Sequence, residues 1–309
     1  MKVSLGMRIK NFLFHRVSEQ NDKLWPPITP QKFEKTIKFL SKHYHVIALE
    51  DFLRDPMYFS SSKKRFASIS FDDGYKDNIL YAAPILRRYG MPASFYVITD
   101  CIDKNLPTWT FLTDYFVQNT IKEKLEFHVD FVPEDIKVIN TKDPNKKKLK
   151  NFMKRIPNWQ RVVLLDELFL QCKDVDLPKQ EMMSWNDIRE LQHNGFIIGS
   201  HSHTHPMLAV LENENDIEEE LFVSREKLKK EVGIIPESIS YPIGSYDERV
   251  KRIASKTGYK YGLAVDQLFW EAPFHDLYQI PRVELYNQPF WKTRMRINGI
   301  YLKAKKLLK

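Results

Sequence analysis

Phe66-Ala67-Ser68-Ile69-Ser70-Phe71-Asp72-Asp73-Gly74 runs from an alternating stretch into a pair of carboxylates. A strand here puts Ala67, Ile69 and Phe71 on one face and Ser68, Ser70 and Asp72 on the other. Asp and Gly favour turns, so Asp72-Asp73-Gly74 taken alone is a turn. In α/β sheets and barrels, however, sites are built at the C-terminal ends of strands.

Working outward, the same rhythm recurs. Upstream, Thr29 caps a helix with Pro30 in its first turn. Phe33, Ile37, Phe39 and Leu40 follow near helical spacing, and His45–Leu49 (HVIAL) is a strand candidate. Downstream, 77–89 is a helix that Pro84 kinks or restarts, Gly90 stops it, and 93–98 (ASFYVI) is a strand. Residues 103–180, rich in Lys, Asp and Asn, break the rhythm and read as a mostly helical, solvated insertion. Ser184 then caps a helix with Trp185, Ile188 and Leu191, ended by Gly195. Strands are expected at 196–199, 238–242, 261–265 and 279–285, with helices at about 213–232 and 247–257 between them. Strands alternating with helices argue for parallel βαβ units in an α/β fold, and seven or so would make a barrel.

Bulk composition sets limits. With 309 residues, 43% of them hydrophobic, the chain has material for one large core. The formal charge of +8 permits nucleic acid, anionic lipid or an acidic glycan as partner. No nucleic-acid motif appears, so that partner is not expected. Cys101 and Cys172 are the only cysteines, which excludes a disulfide framework and fits a reduced setting. The N-terminal MKVSLGMRIK has no secretory apolar run and no segment approaches a membrane span, so a cytoplasmic location is expected. After Pro289 the chain carries no acid, and 289–309 reads as a basic amphipathic helix. Such a helix either packs on the barrel or lies on an anionic membrane, here the inner membrane face.

Three features end predicted strands: Asp72-Asp73, His201-x-x-x-His205, and Tyr241-Pro242-Ile243-Gly244. Histidines four apart on one helical turn face the same side and can hold one metal ion, though two histidines in a polar loop are often surface residues. Imidazole suits zinc and its divalent neighbours. With Asp73 as third ligand the set keeps open positions, as in a catalytic site. A metal beside one carboxylate lowers the cost of holding two, and leaves the other free to act as a base.

SISFDDGYKDN, MMSWNDIRELQHNGFIIGSHSHTHPML and SYPIGSYDE together resemble the polysaccharide deacetylase (NodB-homology) family, carbohydrate esterase family 4, over about residues 10–285. The resemblance implies a distorted (β/α)7–8 barrel over 1–288, carrying the insertion 103–180, with 289–309 as a tail. It implies one divalent metal, zinc or else Co2+, Ni2+, Fe2+ or Mn2+, held by Asp73, His201 and His205, with Asp72 as general base. His203, between the ligands, matches no ligand position. The opening LFHRV and Trp25-Pro26-Pro27 are similar to deacetylases acting on poly-N-acetylglucosamine, in which the catalytic histidine precedes Asp-Asp as if permuted. By that resemblance His15 is the general acid, with His275 the alternative. The family's third motif, Arg-x-Pro-Tyr, stands here as Ser240, Tyr241, Pro242 and Ile243. Its arginine is missing. Arg282 either supplies that charge or makes a surface salt bridge. The Ile243 backbone N–H takes the oxyanion role, and Tyr241 and Pro242 are grouped with it at the substrate. The implied activity is hydrolysis of an N-acetyl group from an amino sugar in a polysaccharide, oligosaccharide or lipid-linked glycan. Hydrolysis of a C–N bond in a small amide, and glycan binding without turnover, are the alternatives.

Overall fold

The computed structural model describes residues 8–300, apart from 21, 61, 63, 144–146, 180 and 272–274. Its strands are β1 (Arg8–Phe14), β2 (His45–Val46), β3 (Phe66–Phe71), β4 (Ser94–Val97), β5 (Lys124–Glu126), β6 (Val138–Asn140), β7 (Ile197–Ser200), β8 (Ser238–Ser240), β9 (Tyr261–Leu263), β10 (Trp270–Glu271) and β11 (Val283–Glu284). β1, β3, β4, β7, β8 and β9 lie side by side, all parallel. The chain then returns to its start. Ile280 bridges to Leu263, and β11 runs parallel to β1, so residues 280–284 close the ring. β10 pairs antiparallel with β1, and β2 parallel with β3. The result is the expected distorted (β/α) barrel, with the first and last strands as neighbours.

The strand sequences explain the layering. Every residue of β3 is buried. Its Ala67, Ile69 and Phe71 join the apolar layer beneath the helices, where Phe71 stacks on Phe95 at 4.9 Å. Its serines point the other way. The Ser68 hydroxyl donates to Asn11 Oδ1 at 2.8 Å, and the Ser70 hydroxyl to the Phe12 carbonyl at 3.3 Å. A narrow barrel interior needs such small, hydrogen-bonding side chains. The helix Pro30–His43 seals the outside with Phe33, Ile37 and Leu40, and Thr29 caps it by accepting from the Lys32 N–H.

Some local expectations change. Of His45–Leu49 only His45–Val46 is a strand, because Leu49 opens the helix Leu49–Arg54 and buries Leu49, Phe52 and Leu53. The helix expected at 77–89 is π-helical over Asn78–Ala82 and α-helical over Ala83–Arg88. Pro84 cannot donate to the turn before it, which accommodates the wider winding.

The insertion is not only solvated and not only helical. It contains the hairpin of β5 and β6, and its own core of Trp109, Phe116, Leu125, Leu149, Leu164 and Leu168. The tail is not one continuous helix. Phe290–Asn298 is helical and stops at Gly299, which has φ +79°. Ile297 is buried, and Phe290 packs edge-on against Phe39 at 6.0 Å. Residues 301–309 of that predicted helix lie outside the described residues. Among the described residues no helix is long and apolar enough to cross a membrane. Cys101 and Cys172 are buried and unpaired.

Candidate metal centre and active site

Asp72 and Asp73 emerge where β3 ends, and the backbone reverses there. Asp73 has φ +77° and Gly74 φ +85°. A Cβ on Gly74 would also press Val97 at 3.2 Å, so glycine is required. β7 delivers His201, and the following loop delivers His205. That loop is not the helical turn expected from the spacing. Ser202 and His205 both have positive φ, +65° and +63°. Side chains replace the missing helical bonds: the Glu220 carboxylate accepts from the His203 and Thr204 N–H groups, and the Ser202 hydroxyl accepts from the His205 N–H. The indole of Trp109, from the insertion, donates to the His205 carbonyl at 3.1 Å. Strained backbone held by its surroundings is a mark of functional sites.

The loop nevertheless brings the imidazoles together, with ring centroids 4.9 Å apart. Asp73 Oδ1 lies 3.2 Å from His201 Nε2 and 3.5 Å from His205 Nε2. One ligand atom from each of the three buried residues falls within 4.8 Å of the others. Two donors at zinc bond lengths of about 2.0–2.1 Å in a tetrahedron lie roughly 3.3 Å apart, so this spacing fits such an ion. His201 Nδ1 donates to the Ser240 carbonyl at 2.7 Å, which turns Nε2 toward the cluster. Burial would lower His201, but Asp72 and Asp73 outweigh it and raise it, and burial together with that neighbouring charge pushes His205 down to about 3. As a ligand must be neutral, His201 would release its proton when an ion binds, whereas His205 is neutral already.

Asp72 is held differently. Arg282, fully buried, grips it with two hydrogen bonds of 2.8 Å. The Ser240 hydroxyl donates to Asp72 Oδ2 at 2.9 Å and accepts from Arg282 at 2.7 Å. Burial alone would raise this carboxyl, but the Arg282 guanidinium and His201 outweigh it and hold Asp72 well below the usual carboxylate range. The surface-salt-bridge reading of Arg282 is therefore wrong. A small serine at the position of the missing motif arginine leaves room for a guanidinium from residues 280–284.

His15 stands across the same cavity, at the end of β1. Its Nδ1 is 3.3 Å from Glu284 Oε1, and Trp25 lies edge-on to its ring at 5.5 Å. The segment around it is pinned by the end of the Asp-Asp motif. The Asn78 amide donates to the His15 carbonyl at 2.8 Å, and Asp77 accepts from the Val17 N–H and from Arg16 Nε. Glu284 was not singled out in the sequence. It sits two residues beyond Arg282 on an extended segment, hence on the same face, and that alternation was the available signal.

The cavity, about 280 Å³, is lined by His15, Trp25, Asp72, Asp73, Thr110, Lys150, Lys154, His201, His205, Ile243, Val265 and Glu284. Ile243 reaches it with φ +57°. Tyr241 and Pro242 do not line it. The Tyr241 ring is buried against Tyr246, and its hydroxyl donates to the Tyr278 carbonyl, so the grouping of these two with the substrate is corrected. His203 turns away and shares a hydrogen bond with the Thr99 hydroxyl at 2.9 Å. His275 is exposed and outside the cavity.

The polysaccharide deacetylase sequence model matches residues 60–262, about two thirds of the chain. This chain belongs to the polysaccharide deacetylase family. It is accordingly a carbohydrate N-deacetylase, and its fold agrees with solved relatives. The Streptococcus pyogenes deacetylase PplD in complex with acetate is 15% identical, with a TM-score of 0.63 over 92% of this chain and 94% of that one. A de-N-acetylase from Aggregatibacter actinomycetemcomitans is 14% identical, with a TM-score of 0.63 over 94% and 100%. IcaB from Ammonifex degensii is 14% identical, with a TM-score of 0.60 over 95% and 97%. A search of curated proteins finds no match. The family match begins after β1 and ends before Arg282, so His15 and Glu284 at the cavity and Arg282 beside Asp72 lie outside it. That order agrees with the permuted type.

Proposed function

We propose that this deacetylase hydrolyses the N-acetyl group of an amino sugar within a glycan, using one divalent ion held by Asp73, His201 and His205. The donor set of two imidazoles and a carboxylate suits zinc first, and Co2+, Ni2+, Fe2+ or Mn2+ as substitutes. When bound, such an ion acidifies a water and polarises the acetamide carbonyl.

The chain's own residues supply the rest. Asp72, kept ionised by Arg282 and Ser240, accepts the proton of the attacking water. The Ile243 N–H at the cavity wall supports the oxygen that gains charge. Glu284 fixes the His15 ring by one nitrogen, so the other faces the cavity and delivers a proton to the leaving amine. Trp25 bounds the cavity beside it. Acetate and a free amino sugar result.

The observation that carries this reading is the division of labour between adjacent carboxylates: Asp72 is locked to an arginine, while Asp73 faces two imidazoles. The test is acetate release from oligosaccharides of N-acetylglucosamine by the metal-loaded protein. Removal of the metal by a chelator should abolish release, and zinc should restore it. Full turnover in the metal-free protein, or release from small amides and none from any glycan, would overturn the proposal.

A further inference from the structure

The insertion faces the cavity with charge that the chemistry above does not use. Its helix Lys148–Met153 buries Leu149 and Met153 in the insertion core. The next positions round, Lys150 and Lys154, line the cavity. These two lysines are four residues apart, a spacing at which like charges oppose helix formation. Lys150 is neutralised: its ammonium pairs with Asp114, and both side chains are almost wholly buried. Among the described residues Lys154 has no carboxylate within ion-pairing distance, although it is half-buried. The acids that act on it from farther off are both engaged, Asp114 with Lys150 and Glu284 beside His15. Burial and then Lys150 lower the Lys154 ammonium from its ordinary value, the sign of a cation held short of partners. A half-buried ammonium without a counterion is costly unless something in the cavity supplies one.

We propose that Lys154 forms an anion subsite, so that the preferred glycan carries an oxyanion beside the N-acetylated sugar. A uronic-acid carboxylate and a sugar phosphate share that chemistry. The subsite sets specificity and takes no part in bond breaking. The inference rests on the deacetylase reading and deepens it.

The test uses the metal-loaded full chain and three probes: a neutral N-acetylglucosamine oligosaccharide, one alternating N-acetylglucosamine with glucuronic acid, and N-acetylglucosamine carrying a phosphodiester. The kcat/KM for acetate release should be higher on one anionic probe than on the neutral one by about tenfold, and which probe wins identifies the oxyanion. Lys154→Met should collapse that ratio, Lys154→Arg should keep it, and added salt should narrow it. Equal turnover of all three probes, or an equal loss on all three in Lys154→Met, would overturn the subsite. If no probe releases acetate, the deacetylase reading itself fails. Calorimetric binding of the two anionic probes then decides the subsite: affinity lost in Lys154→Met supports it, and unchanged affinity ends it.

Discussion

Arg282 travels from the far end of the chain to grip Asp72, and the two residues can be separated by experiment. Asp72→Asn keeps the shape but cannot accept a proton. Turnover should fall by about 10²–10⁴ while metal content stays at the wild-type level. Metal lost together with activity would show that Asp72 is a ligand. Arg282→Met removes the partner of a buried carboxylate, which typically costs about 3–5 kcal/mol, measurable by denaturant unfolding. Arg282→Lys keeps the charge without the two-pronged grip, so it should fold better than the methionine variant and still turn over slowly. At this scale the sequence was legible where chemistry sits in contiguous motifs, as at Asp72, Asp73, His201 and His205. It was half-legible at Arg282, because no local pattern says whether an arginine after a proline turns inward. It was illegible in the backbone: nothing in Ser202, His205 or Ile243 announces a positive φ, since the surrounding packing imposes it.

Among the elements, the insertion departs most from its sequence reading. Its Lys, Asp and Asn residues interrupt the apolar ones that build its core and hide their pattern. The strands KLE and VIN are too short for an alternation to register. The barrel strands were legible for the opposite reason: each is an apolar run that ends at a turn or at a chemical motif. Because the insertion core forms its own cluster, a cavity there should act locally first. Leu149 is fully buried in it, and Leu149→Ala should cost about 2–5 kcal/mol. Amide hydrogen exchange should accelerate through 148–172 and leave β3 and β4 protected. Equal acceleration in the barrel strands would mean that the two cores open as one unit.

At the scale of the whole molecule, the first and last described segments are joined through a single ammonium. Lys10 lies on β1, and its Nζ donates to the Ile297 carbonyl at 2.6 Å and to the Tyr44 hydroxyl at 3.1 Å. It also lies 4.3 Å from the centre of the Phe269 ring. Carbonyls at the end of the helix Phe290–Asn298 attract a cation, but the site is poor in counter-charge. Burial first, and then Arg65 and Arg8, lower Lys10 from 10.5 to about 8. The sign follows from proton binding. Between about pH 8 and 10.5 the unfolded chain holds a proton that the folded chain has released, so this group makes the protein more stable as pH rises. Below that window both states are charged and the folded state carries the full penalty. Lys10→Met should therefore flatten the rise in stability between pH 8 and 10, seen by denaturant unfolding at several pH values. The same substitution leaves the Ile297 carbonyl with only the longer 3.4 Å bond from Tyr44, so exchange of the helix Phe290–Asn298 should quicken. An unchanged pH slope in this variant would mean that Lys10 is well solvated, and that the C-terminal helix is held by Ile297 and Phe290 packing alone.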